Sequence, residues 1–303
     1  DMKKFEVTKI LVPVDFSETS LKAIEHAEFF ANKYDAQIAL VHVLKSGSYD
    51  IKLPGFGSIG QPTETIREVV LDKMREIGKG ILDRTGKTPT FILANGNVFR
   101  NIIDVSRNEN CDLIIMGTHG VSGEHELFIG SNAYRVVEYS KIPVLTVRKK
   151  SSAAIKRITM PIDSSPASRD KVPFVCQIAQ KFGATVNMCG ILTSDHEDEE
   201  PQMNLRLKQT KEYFEEHGVE CTSELLKGDS IGELVLNFAR IEKADLIAIM
   251  KEMEPSGIFM GPYSQYIVNR ADVPVLSFSP VFHKEDIVDD PNLEADWETP
   301  YLL

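Results

Sequence analysis

The sequence has little cysteine and almost no tryptophan, four and one among 303 residues. Cys111, Cys176, Cys189 and Cys221 form no C-x-x-C pair, and most lie in apolar runs. This argues against a zinc site or a disulfide framework and predicts small buried thiols in a reducing compartment. No run approaches the ~20 consecutive apolar residues of a membrane helix, so no membrane partner is expected. The opening Asp1-Met2-Lys3-Lys4-Phe5-Glu6 lacks an apolar leader pattern, and Asp1 reads as a tag remnant. A cytoplasmic location is therefore expected. A dehydrogenase of the Rossmann type would need G-x-G-x-x-G after the first strand, but that turn reads Val14-Asp15-Phe16-Ser17. The G-x-x-x-x-G-K-[ST] motif of P-loop NTPases is also missing. There is no basic stripe. Lys and Arg number 34 against 45 Asp and Glu, a net charge of −11, which excludes an ordinary nucleic-acid binder.

What is present is ordinary for a folded chain. Hydrophobic residues make up 42%, too many for a disordered chain, and the length suits two domains. The charge is uneven. Residues 1–150 hold 20 Lys and Arg against 19 Asp and Glu, net +1, and the remainder holds 14 against 26, net −12. The first half is the better place for a small anion.

The chain repeats itself. Residues 10–44 align without a gap on residues 158–192 at an offset of 148, pairing Pro13 with Pro161, Asp15 with Asp163 and Ser17 with Ser165. Further on, Gly96 matches Gly228, Asp112-Leu113-Ile114 matches Asp245-Leu246-Ile247, Gly130 matches Gly261, and Pro143-Val144-Leu145 matches Pro274-Val275-Leu276. This is a tandem duplication of a unit of about 140 residues. In the first copy, apolar β-branched runs predict strands over 9–14, 37–44, 88–94, 112–116 and 144–147. Helical patterns predict helices over 18–31, 64–85, 98–108 and 132–139, and glycine-rich 46–61 reads as a loop. Alternation of this kind predicts an α/β fold: two tandem doubly wound domains, each a five-stranded parallel sheet flanked by helices. The expected division is 1–150, 151–280 and an acidic tail, 281–303, which carries Trp297. The tail reads as solvated, with docking of Trp297 and Tyr301 as the alternative. Ligands of such sheets sit beyond the carboxyl ends of the strands, where strand order reverses.

The informative segment follows the fourth strand: Met116-Gly117-Thr118-His119-Gly120, nine residues, then Gly130-Ser131-Asn132 at a helix start. Glycines let backbone approach a ligand, and a helix N-terminus favours phosphate through its N–H groups and dipole. Ser131 adds a hydroxyl. With this spacing, and with Ile10-Leu11-Val12-Pro13-Val14-Asp15-Phe16-Ser17 and Leu40-Val41-His42-Val43, the chain resembles a tandem universal stress protein. ATP-binding members of that family carry Gly, two residues, Gly, nine residues, then Gly-Ser or Gly-Thr.

The resemblance implies a nucleotide site in the first copy. Asp15, beside Pro13 and Val14, would meet the ribose or adenine edge; Asp15 as a helix N-cap is the bland alternative, compatible with that role. Val43 would contact adenine through its backbone, and Met116 would pack near the base. Gly117, Gly120, Gly130, Ser131 and Asn132 would hold phosphates, with His119 in the same loop. Glu124 and Glu126 lie in that loop and repel a triphosphate unless Mg²⁺ intervenes, so modest ATP affinity is expected, with ADP or AMP as competitors.

The second copy has Met250 for Gly117, Met253 for Gly120 and Pro262 for Ser131, so it is expected to have lost the cradle, its methionines filling phosphate space and Asp163 serving as a cap. His119 and His125 with the two glutamates read as solvated loop residues rather than a metal site, and His42 as a core histidine. Ser131 has no evident base, so no catalytic residue is assigned and the chain is not expected to be a dedicated enzyme. Slow ATP hydrolysis or autophosphorylation is the enzymatic option the resemblance leaves. The expected function is an ATP-binding stress-response regulator that acts through nucleotide-dependent partner contacts, and the alternative is a nucleotide-independent pairing or scaffold module. The two copies are expected to pack as an internal pseudo-dimer through their last strands, with a homodimer of the whole chain as a further option.

Overall fold

The computed structural model of the chain describes residues 5–44, 51–53, 57–59, 63–118, 129–251 and 260–280. The first copy runs β1 (Lys9–Pro13), α1 (Glu18–Tyr34), β2 (Gln37–Leu44), β3 (Ile51–Leu53), β4 (Gly57–Ile59), α2 (Thr63–Thr85), β5 (Thr90–Asn95), α3 (Val98–Asn108), β6 (Leu113–Gly117), α4 (Ser131–Tyr139) and β7 (Val144–Val147). The second runs β8 (Arg157–Ile162), a 3₁₀ turn (Pro166–Arg169), α5 (Val172–Phe182), β9 (Thr185–Leu192), α6 (Glu200–Glu216), β10 (Cys221–Lys227), α7 (Ile231–Ile241), β11 (Leu246–Met250), α8 (Pro262–Arg270) and β12 (Val275–Phe278). The expected loop over 46–61 contains a small antiparallel hairpin, β3 on β4, which the glycine content hid. The acidic tail lies outside the described residues.

Ten strands form one sheet in the order β10-β9-β8-β11-β12-β7-β6-β1-β2-β5. Within each copy all neighbours are parallel. The copies join through β7 and β12, which run antiparallel with Leu145 opposite Leu276. Each would otherwise be an edge strand with unpaired backbone groups, so pairing them removes two edges at once. The expected meeting of the last strands is what the fold contains.

Both faces of the sheet are covered over its inner strands, which is why these read as near-continuous apolar runs, whereas the edge strand β10 is largely exposed and polar in its first half. One core packs α1, α2, α5 and α6, the other α3, α4, α7 and α8, and each runs continuously from one copy into the other. On the first face the junction is aromatic: Phe5 lies 6.0 Å from Phe174 and 6.2 Å from Phe278, and Phe29 stacks on Phe182 at 5.0 Å. All four cysteines are free and buried.

Several repeated residues prove architectural. Gly96 and Gly228 both sit at positive φ, 109° and 148°, and their amides donate to Leu44 and Leu192 respectively. A side chain there is strained, which explains the match. Asp112 Oδ2 accepts the amides of Thr8 and Lys9 at 2.8 and 3.1 Å, and Asp245 Oδ2 accepts those of Lys156 and Arg157 at 3.0 and 2.9 Å. Each aspartate ties the entry of its copy's first strand to the neighbouring strand.

Candidate functional site

Strand order reverses in the first copy between β1 and β6: the chain goes from β1 outward to β2 and β5, then returns to lay β6 on the other side. The carboxyl ends of β1, β2 and β6 therefore converge on the crevice where such sheets take ligands. Pro13, Val14 and Asp15 end or follow β1, Val43 lies near the end of β2, and Met116 and Gly117 end β6. Pairing of Leu11 with Ile114 and of Pro13 with Val41 keeps all of them on one edge of the sheet. Val14 and Met116 are buried, whereas Pro13, Asp15, Val43 and Gly117 are partly exposed.

Gly130 enters the same place by a direct bond. Its amide donates to the Thr118 carbonyl at 2.6 Å, fastening the start of α4 to the end of β6. Gly130 is the N-cap of α4 at φ −62°, a value open to any residue, so its backbone angle does not demand glycine. Gly130 has no side chain with which to cap α4, and the first turn of the helix carries no acidic residue. The dipole and the N–H groups of that turn are thus left uncompensated by the helix's own residues, and Ser131 and Asn132 stand there with Ser131 exposed. His119 and Gly120 lie outside the described residues, as do Glu124, His125 and Glu126.

Gly117 is required by packing. A Cβ added there would stand 2.8 Å from the carbonyl carbon of Thr19 and 2.9 Å from its oxygen, in the first turn of α1. The second copy carries Met250 at this position without conflict because the helix changes. Glu18 aligns with Pro166, yet that stretch is a 3₁₀ turn and α5 starts only at Val172. Met250 is buried in the core, and Met253 lies outside the described residues. α8 opens on Pro262, which has no N–H to offer.

The turn after β1 is more ordered than the sequence suggested. Asp15 is not the cap of α1; Ser17 is, and its Oγ accepts the Ser20 amide at 3.3 Å. Asp15 Oδ1 accepts the Ser17 amide at 3.0 Å and its hydroxyl at 2.5 Å. Asp163 repeats the arrangement by accepting the Ser165 amide at 2.8 Å, and it too is not the cap that was expected: Ser165 is the N-cap of the 3₁₀ turn, and Asp163 braces it from two residues before. Between Asp15 and Ser17, Phe16 adopts φ 64°, a costly angle for a bulky side chain. It is held by stacking on His42 at 5.0 Å, with Lys73 over its ring at 5.1 Å. His42 Nδ1 in turn donates to the Val14 carbonyl at 2.6 Å. Burial lowers its pKa, outweighing the opposing effects of that bond and of Asp15, which favours the neutral ring, and a carbonyl partner requires the proton on Nδ1. The expected core histidine thus also positions the β1–α1 turn. Its place in Leu40-Val41-His42-Val43 was the available signal.

A model of the universal stress protein family matches residues 6–148 and again residues 154–278. The chain belongs to the universal stress protein family. Among curated relatives, universal stress protein MJ0531 of Methanocaldococcus jannaschii is 31% identical over 46% of this chain and 82% of its own length. Universal stress protein MJ0577 of the same organism is 29% identical over 48% of this chain and 96% of its own. Each is thus comparable to one copy rather than to the pair. A universal stress protein from Archaeoglobus fulgidus has the tandem form. It superposes with a TM-score of 0.70 over 91% of this chain and 97% of that one, at 18% identity, a likeness of fold alone. No described helix is long and apolar enough to cross a membrane.

Proposed function

We propose that this universal stress protein binds one adenine nucleotide, in its first copy, and signals its occupancy to a partner through the surface around α4. The observation that carries this reading is the junction of β6 with α4, whose N-cap is a glycine, closed by the Gly130–Thr118 bond at the switch point of the sheet. Ser131, Asn132 and the amides of that turn would hold phosphate oxygens, together with Gly120 and His119 of the loop. Asp15, braced by Ser17, would accept a ribose hydroxyl or face the adenine edge, Val43 would offer backbone groups to the base, and Met116 would pack beside it. Pro13, Val14 and Gly117 would shape the wall. Mg²⁺ would be needed if Glu124 and Glu126 approach a triphosphate; otherwise ADP or AMP is the better ligand. The second copy, with Met250 and Pro262 in the corresponding places, serves as scaffold. Four buried thiols suit a cytoplasmic protein.

Pairing without nucleotide is the second reading, and a specific observation favours it: β7 and β12 and two shared cores join the copies through protein contacts alone. That edge is consumed within the chain, so a homodimer would need another surface.

Calorimetric titration of ATP, ADP and AMP, with and without Mg²⁺, separates the readings. Saturation near one nucleotide per chain, lost in Gly130→Val, is the expected result. Absence of heat with nucleotide-stripped protein sinks the nucleotide reading and leaves the pairing module.

A further inference from the structure

The second copy reaches across the junction into the first at the start of the candidate cradle. The Ile129 amide, one residue before the Gly130 cap, donates to Asn269 Oδ1 of α8 at 3.3 Å. The contact has a pseudo-symmetric twin: the Met260 amide, one residue before Gly261, donates to Glu138 Oε1 of α4 at 3.2 Å. Offsets of 131 relate Ile129 to Met260 and Glu138 to Asn269, so each copy's last helix holds the entry to the other's. Ile129 is buried, so an orphaned amide there has little water to turn to.

The far end of α4 is also held from the second copy, and here the symmetry breaks. Lys251, which follows Met250, is buried, and its Nζ donates to the carbonyls of Val137, Glu138 and Ser140 at 2.7, 3.0 and 3.1 Å. Ser279 Oγ adds a bond to the Ser140 carbonyl at 3.3 Å. These carbonyls lie at the C-terminal end of α4, where a helix leaves acceptors without intrahelical donors and a cation is favoured. The first copy has Thr118 at the position of Lys251, and its hydroxyl donates to the Val147 carbonyl of its own copy. The first copy has no lysine at that position, so the Lys251 clamp acts one way, from the copy with Met250 and Pro262 onto the helix of the copy with Gly130 and Ser131.

We infer that Asn269 is a positioning residue for the nucleotide site of the first copy, holding the Ile129 amide just ahead of Gly130 while Lys251 holds the C-terminal end of α4. The inference rests on the nucleotide reading above and deepens it: copy pairing and phosphate affinity are one coupled property of this chain. Asn269 touches no ligand and acts through the Ile129 amide.

The test uses the full chain and titrates ATP and adenosine into wild type, Asn269→Ala and Asn269→Asp. Loss of one positioning hydrogen bond weakens ATP about five- to tenfold. Adenosine, which has no phosphate to reach α4, binds Asn269→Ala as it binds wild type. Asn269→Asp keeps an acceptor, as Glu138 does in the twin contact, and restores ATP binding. Equal ATP affinity in wild type and Asn269→Ala overturns the inference, and so does an equal loss for ATP and adenosine, which marks general loosening. Wild type that takes up neither ligand overturns the nucleotide reading itself, so the wild-type titration alone tells the two failures apart.

Discussion

Replacing Gly117 with alanine adds one methyl group at the point where β6 meets α1. That methyl would lie 2.8–2.9 Å from the carbonyl carbon, oxygen and Cβ of Thr19. Carbon atoms pack at about 3.5–4.0 Å, so the helix must retreat by more than half an ångström. Overpacking costs about 1–3 kcal/mol, and the upper part of that range applies because two of the three contacts are backbone in the first turn of α1. A loss of about 2–3 kcal/mol is expected in urea unfolding. Adding Thr19→Gly removes only the Cβ contact, so the double variant recovers little. Gly80→Ala is the matched control: its methyl meets only the tip of Arg84, at 3.0 Å, and it gains helix propensity, so stability holds or rises by up to about 1 kcal/mol. If Gly117→Ala unfolds with wild type, or if Thr19→Gly rescues it fully, the packing account of Gly117 is wrong, and phosphate approach alone must explain the residue.

Three donors converge on Asp112 Oδ2, the third being the Thr8 hydroxyl at 2.6 Å, so Asp112→Ala should cost about 3–4 kcal/mol in urea unfolding. Asp245→Ala, where two amides face a more exposed carboxylate, should cost about 1 kcal/mol; equal costs would refute the burial argument. Burial, with Lys141 nearby, pushes the Lys251 pKa down to about 7 against the opposing pull of Glu138. The native state then sheds this proton before the unfolded chain does, so the burial penalty is full below about pH 7 and relaxes as pH rises toward the ordinary lysine value. Wild type should gain stability from pH 7 to 9 relative to Lys251→Met, by at most about 1.4 kcal/mol per pH unit, and parallel pH profiles would refute this.

The duplication, the order of strands and helices and the parallel sheet were legible because they rest on short-range signals. Apolar runs with β-branched residues mark strands, 3.6-residue periodicity marks helices, and matched positions at fixed offsets mark the copies. The hairpin β3–β4 escaped because glycine and proline dominate its neighbourhood and each strand is only three residues long. Within the candidate site, the spacing of Gly117 and Gly130 singled out two residues that the structure brings together at the end of β6 through the Gly130–Thr118 bond, and Gly120 lies outside the described residues. The sequence did not tell apart the reasons for its glycines. Gly117 answers to Thr19 of α1, a contact between residues nearly 100 positions apart, and Gly130 sits at an ordinary φ with its amide on Thr118.

By itself, then, the sequence determined the family, the two-copy α/β plan and the copy in which a phosphate cradle is chemically sensible. Those follow from local periodicity and from the presence or loss of backbone donors such as Ser131 against Pro262. Only the tertiary structure decided what the second copy does for the first. Asn269 and Lys251 are unremarkable along the chain, and they reach Ile129 and the end of α4 only because β7 and β12 pair antiparallel. An antiparallel junction relates the copies by a near two-fold axis, and that axis lays each copy's last helix against the entrance to the other's, which no one-dimensional pattern records.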